Sequence, residues 1–177
     1  MRAVRSVAVA ISFALPSLSS WADQTLTTDQ LKLTGIDAFD IAVEELPEDA
    51  SQCGVTLQQL KTQVELALRK NGISVSSMAD TLYVRLGILF DPQIRSCFFS
   101  LEIQIHGFVR RDFGRLHEQR IKATIWQRGL LGTGPSQNTS RQITEALAQL
   151  LNDLCNDQLA ANRASAQGKS RSQKNSK

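Results

Sequence analysis

Three runs of period two lie between two stretches of helical period, and that order leaves few folds open. Leu82, Val84, Leu86, Ile88 and Phe90 alternate with mostly polar neighbours. Phe99, Leu101, Ile103, Ile105 and Val109 alternate against Glu102, Gln104, His106 and Arg110. Ile121, Ala123 and Ile125 alternate against Lys122, Thr124 and Trp126. Each run reads as a half-buried strand, one face on a core and the other toward water. Asp91-Pro92 marks the first turn, and residues 112–119, with Gly114, mark the second. The three strands form an antiparallel meander.

The flanking stretches supply the core's other layer. Leu57, Leu60, Val64, Ala67 and Leu68 make one apolar stripe. Thr56-Leu57-Gln58-Gln59 before it has the pattern of a capping box, and Asn71-Gly72 after it tolerates the left-handed backbone that ends helices. Ile143, Leu147, Leu150, Leu151 and Leu154 make the second stripe, in a helix expected to start near Thr139 or Ser140, with Gln142 completing Thr139's capping box. A further alternating run, Leu31 to Val43, precedes the first helix, with Gly35 and Asp37 hinting at a bend. Glu44 to Gly54 reads as an acidic loop. The expected fold is therefore α+β, a single domain of order β-α-β-β-β-α. Its sheet is four-stranded and mostly antiparallel, and both helices pack on one face.

The ends of the chain differ from its body. Arg2 and Arg5 precede an uncharged apolar stretch from Ser6 to Leu15 that is too short to span a bilayer. Pro16 and then Ser20-Trp21-Ala22 follow, so residues 1–22 read as an export signal cut after Ala22. The implied location is the periplasm. After that cut the chain carries +1, split between an acidic body and a basic end. Residues 163–177 hold Arg163, Lys169, Arg171, Lys174 and Lys177 with no acid and no large apolar side chain. The expected organisation is a domain over 23–160 and a disordered basic tail over 161–177, able at most to touch an anionic surface.

Topology also sorts the cysteines. Cys53 falls in the loop after the first strand and Cys97 in the turn between the second and third. Both loops lie at the same end of the sheet. Cys155 lies far along the last helix, toward the other end. An exported chain meets an oxidising compartment, so a Cys53–Cys97 disulfide and a free, buried Cys155 are expected.

No catalytic constellation stands out. His106 and His117 lack a third ligand and any H-E-x-x-H context, so no metal and no cofactor are expected. Glu102 and His106 share a strand face, the one arrangement that suggests a hydrolase. The stretch Gly129-Leu130-Leu131-Gly132-Thr133-Gly134-Pro135 reads as a glycine-rich loop before a helix N-terminus, flanked by Arg128 and Arg141. That setting suits a small anion. Leu130 and Leu131 beside Trp126 and Arg128 suit a protein partner instead. The partner-binding candidates are therefore Trp126, Arg128, Leu130, Leu131 and Arg141. Trp126 equally suits packing on the sheet face that has no helix.

The helix LQQLKTQVELALRKNGISV, followed by LYVRLGILF and SLEIQIHGFVRR, resembles the layout of small envelope α/β proteins. These include the LptE-like lipopolysaccharide-assembly lipoproteins, the TolB amino-terminal domain and curli-secretion lipoproteins. The resemblance spans roughly residues 31–158 and implies a non-enzymatic binding or assembly accessory of the cell envelope, whose partner is another envelope protein or component. Those lipoproteins carry an anchoring Cys after the signal, where this chain has Asp23.

Overall fold

A computed structural model describes residues 26–112 and 118–174. The expected export signal, within residues 1–25, and residues 113–117, with His117, lie outside the described residues. Element order is α1 (Thr28–Lys32), β1 (Ala38–Val43), a 3-10 turn (Glu48–Ala50), α2 (Leu57–Lys70), β2 (Ser74–Val75), β3 (Asp80–Asp91), β4 (Ser96–Asp112), β5 (Glu118–Pro135) and α3 (Ser136–Lys174). The sheet has five strands in the order β2-β1-β3-β4-β5. β1 runs parallel to both neighbours, whereas β3, β4 and β5 form the expected antiparallel meander. The fold is α+β as expected, with one more strand, the two-residue β2.

The alternation predicts the buried face of β3 and β4 residue by residue. Leu82, Val84, Leu86 and Ile88 point to the helices, as do Cys97, Phe99, Leu101, Ile103 and Ile105. They meet Leu60, Val64 and Leu68 of α2 and Ile143, Leu147, Leu150, Leu151 and Leu154 of α3 in one core.

Helix α2 begins and ends where its capping residues dictate. Thr56 Oγ1 accepts the Gln59 N–H at 3.2 Å. At the far end Gly72 takes φ +75°, its N–H reaches the Arg69 carbonyl, and the Ile73 N–H reaches the Leu68 carbonyl. This is the paired closure of a Schellman motif, with Ile73 buried beneath it.

Four expectations give way to tertiary structure. The first strand starts at Ala38, because Leu31 falls in α1 and Leu33 caps it. Thr27 and Gln30 form a reciprocal capping box there, and Gly35, at φ +80°, turns the chain into the strand. The second change is the glycine-rich stretch, which is strand and not loop. β5 continues to Pro135, with Phe99 opposite Gly132 and Cys97 opposite Gly134. The glycines fit because β4 and α3 fill the space: a Cβ at Gly132 would overlap the Phe99 ring, and one at Gly134 the Gln142 side chain. Gly132→Ala should therefore cost about 1–3 kcal/mol in urea unfolding. An unchanged midpoint would show that Phe99 yields freely.

Third, α3 starts at Ser136, so Thr139 is not its cap. Thr139 sits fully buried in the first turn and donates to the Pro135 carbonyl at 3.0 Å. Fourth, α3 runs to Lys174 through the segment expected to be a disordered tail. Residues 159–174 contain no proline and are rich in Ala, Arg, Gln and Lys, so they extend a helix that is already nucleated. The folded body also passes the expected boundary at 160. Ala161 is fully buried, and Asn162 Oδ1 accepts the Gly35 N–H at 2.9 Å.

Candidate functional site

A single extra residue in β5 decides what the last strand presents. Ile105 pairs with Trp126 and His106 with Thr124, which leaves Ile125 unopposed as a bulge. Because side chains alternate with period two, one inserted residue swaps the faces for the rest of the strand. Ile125 and Trp126 are consequently both buried.

The structure thus places Trp126 against the helices, 1% exposed, and not on the open face. Its indole Nε1 donates to Asp157 Oδ2 at 3.0 Å, and Gln30 Nε2 donates to Asp157 Oδ1 at 2.8 Å. The Arg128 guanidinium lies 5.6 Å from the Trp126 ring centre and 3.8 Å from Asp157. One carboxylate on α3 therefore ties α1, β5 and α3 together. Sequence spacing gave no sign of this cluster, since Asp157 lies 31 positions from Trp126 and 127 from Gln30. Trp126 and Arg128 both take part in this clamp, with the indole buried inside it.

The remaining candidates separate. Leu130 packs partly buried against the core, whereas Leu131, next in the strand, is 83% exposed on the opposite face. Arg141 is exposed and lies 3.7 Å from Glu145, one turn along α3. Arg128 and Arg141 thus each face a carboxylate of their own. The glycine-rich segment between them is paired strand and forms no cradle.

The sheet face away from the helices carries the surface chemistry. Its middle is polar. Arg85 Nε meets Glu44 at 3.1 Å, Gln127 donates to Glu102, and the His106 ring stacks on Tyr83 at 5.5 Å while bonding Gln104 at 2.8 Å. Desolvation, and then the Glu44 carboxylate, push the Tyr83 phenol above its ordinary value. Glu102 and His106 share this face as expected, but each is engaged by a glutamine and not by the other.

Toward the disulfide end the same face turns apolar. Leu89 lies opposite Phe98, and Leu131 lies diagonal to Phe98, opposite Ser100. Leu89 is 61% and Phe98 43% exposed. Gly87 lies opposite Ser100 and Gly129 opposite Glu102, so the surface beside the three side chains is low. The sequence alternation contained Leu89 and Phe98, but only the register aligns them with Leu131. The Cys53–Cys97 disulfide closes this end, with Cα atoms 6.2 Å apart, and Cys155 is free and buried. Burial pushes the Cys155 thiol above its ordinary value.

No family model matches the chain, and no curated protein matches it. Among solved structures it is similar to a minor lipoprotein from Acinetobacter baumannii, at 13% identity and a TM-score of 0.36, over 72% of this chain and 93% of that one. No helix among the described residues is long and apolar enough to cross a membrane.

Proposed function

We propose that this chain is an exported, non-enzymatic accessory of the cell envelope that binds a protein partner through the open sheet face at its disulfide end. The observation that carries this reading is the exposed cluster of Leu89, Phe98 and Leu131 on a face that no helix covers among the described residues. Ser100, Thr133, Arg85 and Glu102 surround it. An apolar centre within a polar rim is the anatomy of a protein–protein interface. The Cys53–Cys97 disulfide fits an oxidising compartment, in keeping with the export signal.

The test is crosslinking in intact cells followed by mass spectrometry of what copurifies. Leu131→Asp puts a charge at the most exposed of the three positions and leaves the core untouched. It should weaken capture of the partner at least about tenfold, the effect of truncating a modest interface anchor. Full capture by the Leu131→Asp, Phe98→Ser double variant would remove the open face from consideration.

A further inference from the structure

The stretch of β5 beyond its bulge has a self-complementary edge. β5 is the last strand of the sheet, so one row of its backbone N–H and C=O groups has no pairing strand among the described residues. Edges of this kind are usually blunted by charge or by bulges. The half of β5 toward the hairpin has both, with Arg120, Lys122 and the bulge at Ile125. The half from Gln127 to Pro135 has no bulge. Its one charge, Arg128, is drawn over its own Trp126 and toward Asp157. That straight segment is bounded by the bulge at one end and by Pro135 and the start of α3 at the other. Its midpoint is Leu131, the residue 83% exposed.

We propose that two copies of this chain pair antiparallel through residues 127–135 of β5, about a two-fold axis at Leu131. In that register Arg128 faces the partner's Gly134, Leu130 faces the partner's Gly132, and Gly129 faces the partner's Thr133. Gln127 faces the partner's Pro135, where pairing ends for want of an N–H. Every bulky side chain opposes a glycine or the terminal proline, and no like charges meet. The exception is Leu131, which packs on the partner's Leu131. The paired segments span about 27 Å at 3.4 Å per residue. An axis perpendicular to the sheet keeps both open faces on one side. The two clusters of Leu89, Phe98 and Leu131 then join into one apolar strip across the dimer. This makes the interface isologous and closed, so pairing stops at two. Pairing at this edge stands apart from whatever partner the open face receives.

Sedimentation velocity of the purified chain over the micromolar range tests the pairing. The expected result is a monomer–dimer equilibrium that Leu131→Lys shifts toward monomer by about tenfold or more, since it sets two ammonium groups together at the axis. Leu131→Cys provides a second readout. Residues directly opposite in an antiparallel pair lie about 4.5–5.5 Å apart between Cα atoms, within disulfide reach, so mild oxidation should give a covalent dimer. A wild-type chain that stays monomeric throughout, or a dimer that ignores Leu131→Lys and yields no crosslink at 131, overturns the proposal. A wild-type chain that dimerises but captures no partner in cells would instead count against the function proposed for the open face.

Discussion

Replacing Trp126 with alanine should cost about 3–5 kcal/mol of stability, the range for deleting a large buried aromatic side chain. That is about a fifth or more of the margin an ordinary domain possesses. The indole is 1% exposed and fills the space where β5 meets α3 and α1. The loss has two parts. Removing the ring opens a cavity, and removing the Nε1 donor leaves the Asp157 carboxylate short of one of its partners. Trp126→Phe separates them: it keeps most of the volume and should cost about 1.5–3 kcal/mol, the value of a hydrogen bond to a charged group. Urea unfolding followed by circular dichroism reads both. A Trp126→Ala chain as stable as the parent, yet unable to hold a partner, would return Trp126 to the surface role that its sequence context suggests.

Loss of the Cys53–Cys97 bridge should be nearly as damaging. The cysteines are 44 positions apart. Closing a loop of that size removes unfolded-chain entropy equivalent to about 4 kcal/mol, and native bridges commonly contribute about 2–4. Both cysteines are fully buried, so the double variant Cys53→Ala, Cys97→Ala replaces them with small apolar groups and leaves no unpaired thiol. The melting temperature should fall by roughly 10 °C, and a reductant should lower the parent's by a similar amount without affecting the variant. Insensitivity of the parent to the reductant would mean that the loop closure is not what holds this end together. The bridge joins the loop after β1 to the start of β4, beside Leu89 and Phe98. Its loss should therefore loosen the proposed partner surface before the far end of the sheet.

Much of the fold was legible because its signals are local. Thr56 and Gly72 bound α2 through bonds made within a few residues, so their meaning does not depend on the rest of the chain. Leu82 to Ile88 and Phe99 to Ile105 alternate without interruption, and parity alone assigns their faces. The cysteine pairing followed from which loops share an end of the sheet. The candidate site was legible only in part. Leu131 was singled out from a supposed loop tip and is exposed on a strand. Trp126 and Arg128, grouped with it by nearness in sequence, face the opposite way.

By itself, the sequence determined the α+β class, the order of the main elements, the limits of α2, and which two cysteines bridge. Tertiary structure alone decided the start of β1, the strand identity of the glycine-rich segment, the reach of α3 and the burial of Trp126. The division has a physical cause. Caps and alternation are read from neighbours along the chain. The bulge at Ile125 and the close fit of Gly132 under Phe99 exist only when β5 pairs with β4, and one unopposed residue there reverses the face of everything that follows.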